Sequence, residues 1–152
     1  GITMSFKNEN FERRLQTMGD IAERKFEEVS PVNYVRFGLN RPPLRMSSLP
    51  PLIRYTPDYL TSECFVEVQG FGQDQTLKLK LDKMDALRKW AKEHPVKLFV
   101  YDSHKDRHAY IELNELNKMC KQARVDSFPE GKEYYAIQSE VIWLNEQAGN
   151  TA

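Results

Sequence analysis

Tyr55-Thr-Pro-Asp58-Tyr-Leu-Thr-Ser-Glu-Cys-Phe65-Val-Glu67-Val-Gln69-Gly70 is the stretch around which the other segments arrange themselves. Phe65 to Gln69 is β-branched and aromatic, alternates with period two and stops at a glycine, which is the pattern of a strand. Alternation puts Phe65, Glu67 and Gln69 on one face and Val66 and Val68 on the other. Tyr59-Leu60 lies close enough to Phe65 in sequence for a hairpin, and that hairpin sets Asp58 beside Glu67. Two carboxylates converging on one sheet face repel each other unless a proton or a cation sits between them. A hard divalent ion bound through oxygen is the simple solution at neutral pH.

Pro57-Asp58, then residues 59–66, then Glu67-Val68-Gln69 resembles the PD-(D/E)XK nuclease signature, with Gln69 standing where the motif has Lys. The resemblance implies a restriction-endonuclease-like core of α/β class, a small mixed β-sheet flanked by helices. It implies Mg²⁺ or Mn²⁺ held by Asp58 and Glu67 with the backbone carbonyl of Val68. The upstream segment Gly19-Asp20-Ile-Ala-Glu23-Arg-Lys-Phe26 looks like the helix that adds a further carboxylate in this superfamily, and so nominates Glu23. The implied reaction is hydrolysis of DNA phosphodiester bonds, with Asp58, Glu67 and Gln69 as the catalytic set. Glutamine orients a water through its amide but brings no formal charge. Three readings stay open at that position. Lys80 or Lys83 supplies the missing charge, the metal carries more of the load, or the protein binds DNA (or serves in an assembly) without cutting. The Thr-Pro-Asp-Tyr-Leu opening looks most like phage-type structure-specific or junction-resolving endonucleases, and enzymes of that kind work as homodimers.

The bulk properties set bounds on this reading. With 152 residues and a formal charge of zero, the chain reads as one domain over 1–152, with an ordered core at 5–145 and frayed ends. A neutral chain is not a global polyanion binder, so affinity for DNA has to come from where the charges lie. Residues 31–57 contain Arg36, Arg41, Arg45 and Arg54 and no acid. Lys78, Lys80, Lys83, Arg88, Lys89 and Lys92 follow against Asp82 and Asp85. That pattern suits a basic face around an acidic pocket, with Arg36, Arg41, Arg45, Arg54, Lys80 and Lys83 as candidate DNA contacts. The alternative is a solvated surface of mixed charge. No apolar run approaches the roughly 20 residues of a membrane span, and the N-terminus lacks a signal-peptide core. Cys64 and Cys120 are too few for a disulfide framework, so a reducing, cytoplasmic setting is the expectation.

Along the chain, Phe11, Leu15, Met18, Ile21, Ala22 and Phe26 predict an amphipathic helix over about 8–29, ending before Ser30-Pro31. Val32 to Phe37 reads as a strand, and the Pro- and Arg-rich stretch from Leu39 to Pro51 as a long functional loop. Leu77, Leu81, Met84, Leu87 and Trp90 predict a helix over about 74–93, followed by a strand at Val96–Tyr101. Strand, helix, strand at this spacing implies parallel pairing of the two strands. His104 and His108 are four apart, yet the surrounding strand patterns make their segment a hairpin turn rather than a zinc site. Ile111 to Cys120 reads as helix. Tyr134 to Trp143 fits strand or helix equally, and fraying is expected from Glu146 onward.

Overall fold

A computed structural model describes residues 17–39 and 45–151. The first helix, α1, is helical over 17–29 among these residues, and the predicted turns at 8–16 lie outside them. Then follow β1 (Tyr34–Arg36), a 3₁₀ turn (Met46–Ser48), α2 (Pro51–Arg54), β2 (Tyr59–Thr61), β3 (Phe65–Gly70) and β4 (Thr76–Lys80). The second half runs α3 (Leu81–Trp90), β5 (Val96–Asp102), β6 (Arg107–Glu112), α4 (Leu113–Gln122), β7 (Arg124–Ser127), β8 (Glu133–Gln138) and α5 (Ser139–Thr151). Five strands form a mixed sheet in the order β1-β2-β3-β5-β6, in which only β3 and β5 pair parallel. A second sheet, β4-β8-β7, is antiparallel throughout. The class is α/β, a mixed sheet flanked by helices, as the sequence predicts.

The alternation of β3 divides the interior. Val66 and Val68 join Ala22 and Phe26 of α1, Tyr59 and Phe99 in one apolar cluster. Phe65, on the opposite face with Leu98 and Val100 of β5, joins the larger cluster under α3, α4 and the small sheet. The sheet is therefore sandwiched, and Glu67 and Gln69 belong to the α3 side.

Residues 76–80 are not helical. Thr76-Leu-Lys-Leu-Lys80 also has period two, with Leu77 and Leu79 fully buried and Thr76, Lys78 and Lys80 half-buried between and beside them, and β8 provides the hydrogen-bonding partner. Tertiary pairing with a strand sixty residues away overrides a helical spacing that the same leucines also satisfy. The ambiguous 134–143 stretch is resolved the same way: β8 takes its first half and α5 its second, and α5 stays helical to Thr151 where fraying was expected. Residues 103–106 form the β5–β6 hairpin turn, with Asp102 opposite Arg107. Cys64 and Cys120 are both free and buried, and burial pushes the Cys120 thiol up to about 11.

Candidate active site

Asp58 stands one residue before β2, where the register of β2 against β3 (Tyr59 opposite Val66) continues to place it opposite Glu67. Its corner is fixed from behind. The amides of Phe37 and Gly38 both donate to the Asp58 carbonyl, at 2.9 and 3.1 Å. Gly38 has no room for a side chain, because a Cβ there would meet the Pro57 carbonyl oxygen at 2.7 Å. Past the end of β2 the open edge of β3 is capped by the Asp58 side chain, whose Oδ2 accepts the Val68 N–H at 2.9 Å. In extended chain the N–H and C=O of one residue point to the same edge, so the Val68 carbonyl faces this gap as well.

Glu67 is 6 % exposed. Its Oε2 accepts from Lys83 Nζ of α3 at 2.7 Å, while its buried Oε1 has no partner among the described residues. Gln69 bridges the same lysine to β4: its Oε1 accepts from Lys83 Nζ at 3.2 Å and its Nε2 donates to the Lys78 carbonyl at 2.9 Å. Burial, and then the Glu67 charge, push the Asp58 carboxyl up to about 8, against the opposing pull of Lys83, the Val68 amide and Arg36. Burial works against the Lys83 ammonium, but Glu67 and Asp58 outweigh it and hold its pKa above the ordinary lysine value. Ionising both acids would thus place there an excess of negative charge that Lys83 only partly answers.

Glu23 approaches from the other side of the sheet. It pairs with Arg36 Nη1 at 2.8 Å, and Arg36 Nη2 reaches Asp58 Oδ1 at 3.5 Å, so the arginine stands between the two acids. Burial is the main cause raising the Glu23 carboxyl, opposed by its bond to Arg36. Arg36 also lies over the Tyr59 ring, whose hydroxyl donates to Glu27 at 2.6 Å. Among the described residues no three His, Cys, Asp or Glu side chains converge closely enough to hold one ion. Asp58 and Glu67, with the Val68 carbonyl, are the oxygen donors the fold brings together. An orphaned Glu67 oxygen and an Asp58 carboxyl that resists ionising fit a hard divalent cation, which would satisfy the first and reverse the second.

The other candidate contacts separate. Arg54 is taken up by the carbonyls of Met46, Ser47 and Leu49, at 3.1, 3.1 and 2.8 Å, so it braces the loop instead of reaching outward. Arg45 is exposed beside the 3₁₀ turn, and Arg41 lies outside the described residues. Lys80 and Lys83, with Lys78 and Gln69, line a cleft of 330 Å³ that opens beside the acidic pair. Phe128 and Glu130 from the tip of the β7–β8 hairpin also line it, residues the sequence reading passes over. The signal was present in Phe128-Pro-Glu-Gly131, a proline and glycine at turn spacing.

No family model and no curated protein matches the chain. Among solved structures, the chain is similar to a Holliday junction resolvase from the archaeal hyperthermophile Archaeoglobus fulgidus. The identity is 10%, the match covers 82% of this chain and 97% of that one, and the TM-score is 0.43. No helix among the described residues is long and apolar enough to cross a membrane.

Proposed function

We propose that the chain is a metal-dependent DNA endonuclease that hydrolyses phosphodiester bonds at branched structures, using Mg²⁺ or Mn²⁺ held by Asp58, Glu67 and the Val68 carbonyl. The observation that carries the reading is Lys83 Nζ, 2.7 Å from Glu67 and 3.2 Å from Gln69. The cation that the motif lacks at position 69 is delivered to the same place from α3. Bound between the acids, the ion supplies polarisation of the phosphate and a more acidic water. Lys83 hydrogen-bonds the attacking water and offsets charge that develops on the phosphate oxygens. Gln69 holds Lys83 in position, and Arg36 holds Asp58. Glu23 acts through Arg36, as a positioning residue. The homodimer follows from the need to cut two strands of one branch and is part of this proposal.

A second reading, DNA binding without cleavage, draws on one observation, the lack of a third carboxylate beside the pair among the described residues. One assay separates the two. Linear duplex, single strand, flap and four-way junction are incubated with Mg²⁺, Mn²⁺ or EDTA, and the cuts are mapped. The nuclease reading expects cuts near the branch with either metal and none in EDTA, abolished by Asp58→Asn or Glu67→Gln. Binding to the same DNAs with every strand left intact would overturn it and leave the second reading standing.

A further inference from the structure

The cleft beside the acidic pair contains a cation without a counterion. Lys83 is paired with Glu67, and Lys78 with Asp74 at 3.3 Å. Lys132, close by, pairs with Asp82 at 3.1 Å. Lys80 has no carboxylate at ion-pair distance among the described residues; its ammonium lies 5.6 Å from the centre of the Phe128 ring. Burial, followed by the charges of Lys132, lowers its pKa, as expected of a half-buried cation among like charges. An anion entering the cleft would relieve that arrangement.

Phe128 is the second unusual feature. An aromatic ring has no part in binding phosphate, yet this one lines the cleft together with the lysines. It is held there firmly. Tyr134 backs it with ring centres 4.3 Å apart, and the hairpin tip is closed by Phe128 N–H to the Lys132 carbonyl and Gly131 N–H to the Phe128 carbonyl, both 2.8 Å. Gly131 supplies the left-handed residue of this tight turn, at φ +97°. A cation without an ion pair and a fixed aromatic ring lining one cleft are the chemistry that recognises one nucleotide, phosphate to lysine and base to ring. A volume of 330 Å³ is at the scale of one small ligand.

We propose that this cleft seats a single unpaired nucleotide flanking the bond to be cut, with its phosphate on Lys80 and its base stacked on Phe128. The inference rests on the reading of Asp58 and Glu67 as a phosphodiester-cleaving pair, and it adds the feature the substrate must have. A base can reach Phe128 only by leaving its stack, which is cheap at a branch point or flap and expensive within a duplex. The cleft thus selects DNA with an unpaired nucleotide next to the cut.

The test measures binding in EDTA by fluorescence anisotropy, with a labelled flap or four-way junction and a fully paired duplex of equal length. Phe128→Ala is expected to weaken binding to the branched DNA roughly 5- to 50-fold and leave duplex binding unchanged. Lys80→Gln is expected to weaken both and to reduce the slope of log K against log salt by about 1. Phe128→Leu keeps the apolar volume and removes the ring, so it should repeat the Phe128→Ala loss with the melting temperature retained. Equal loss on both DNAs, or no loss with the leucine variant, overturns the proposal. Cleavage by Asp58→Asn is scored in parallel. Should that variant stop cutting while Phe128 proves irrelevant to branched DNA, only the cleft assignment falls. Should it cut normally, the reading of the acidic pair falls, and the anisotropy result still stands on its own.

Discussion

Asp58 and Asp102 occupy similar places, each at the end of a strand of the same sheet, and their surroundings are opposite. Asp102 is fully buried and its charge is answered: its Oδ1 accepts the His104 N–H at 3.0 Å and its Oδ2 accepts from Arg107 Nε at 3.2 Å. Arg107 is itself held, 4.4 Å over the Trp143 ring and 3.3 Å from Gln75 Oε1. Burial works against the Asp102 carboxylate, but the hydrogen bonds from Gln75 and Arg107 and from backbone amides outweigh it and lower its pKa. Asp58 faces another acid, and with the Val68 amide at 2.9 Å and Arg36 at 3.5 Å as its partners it is raised instead. A satisfied buried acid holds a turn together. A pair in which burial and mutual repulsion resist ionisation is the arrangement the proposed cation would relieve.

The largest expected effects follow from exchanging the two sites' roles. Asp58→Asn should reduce cleavage at least about 10²–10³-fold, since ligand charge and geometry are lost together. It should leave thermal stability equal or higher, because a carboxyl that is costly to ionise beside Glu67 is gone. Asp102→Ala should do the reverse. It leaves Arg107 without its carboxylate and costs about 3 kcal/mol, the low end for a broken buried pair because Arg107 is a third open to solvent. Cleavage per folded molecule should be kept. Melting curves and single-turnover rates on both variants decide it; a destabilised Asp58→Asn would mean that both corners are structural.

The lysine swap is next in size. Gln69→Lys alone puts a second ammonium beside Lys83 and removes the oxygen that Lys83 donates to. A loss of about 10- to 100-fold in rate is expected, the scale for disturbing a partner of a metal or catalytic group. Gln69→Lys combined with Lys83→Gln restores one lysine and one amide in exchanged positions, and should recover most of the activity. Full activity in Gln69→Lys alone would show that Lys83 has no part in the reaction.

The two aspartates also predict opposite dependences of stability on pH. Asp58 is raised from 3.8 to about 8, so between those values the folded protein holds a proton that the unfolded chain has lost. Without metal, stability therefore falls as pH rises through that window. Asp102 is lowered, so its contribution is present above its unfolded value and lost as pH falls through the folded one. Melting temperatures in EDTA should decline from pH 5 to 8 in the wild type and less so in Asp58→Asn. Mg²⁺ at pH 8 should raise the melting temperature by several degrees only where Asp58 is present. A wild-type profile flat from pH 5 to 8 would count against the unsatisfied pair.

Much of this arrangement could be read from residues alone, and the limits have physical causes. The strand at Phe65–Gln69, the hairpin before it and the parallel pairing with Val96–Tyr101 are local or short-crossover patterns, and they are present as read. That Asp58 and Glu67 come together followed from period two and a short turn. Lys83 was one of two candidates, and only the way α3 packs on the sheet separates it from Lys80. The strand at Thr76–Lys80 was missed because its leucines satisfy two periods at once and its partner, β8, is remote in sequence. Phe128 was missed for the same reason. A hairpin can be recognised from Pro and Gly, but what its tip faces depends on non-local packing. Arg54 stands among the candidate DNA contacts in the sequence, because the carbonyls that occupy it belong to a loop whose path no periodicity encodes.

The smallest expected effect belongs to His104. Histidines at 104 and 108 belong to the β5–β6 hairpin that the sequence predicts there, and the two rings are engaged differently. His108 stacks on Phe99 with ring centres 5.4 Å apart and planes at 28°, while the His104 side chain is exposed and only its backbone amide reaches Asp102. His104→Ala keeps that amide. It should shift the melting temperature by no more than about 1–2 °C, corresponding to the half kilocalorie typical of surface substitutions. It should also leave the Mg²⁺ and Mn²⁺ dependence of cleavage unchanged. A change in metal dependence would place an ion at the satisfied corner, and the distinction between the two aspartates would then fail at its best-partnered member.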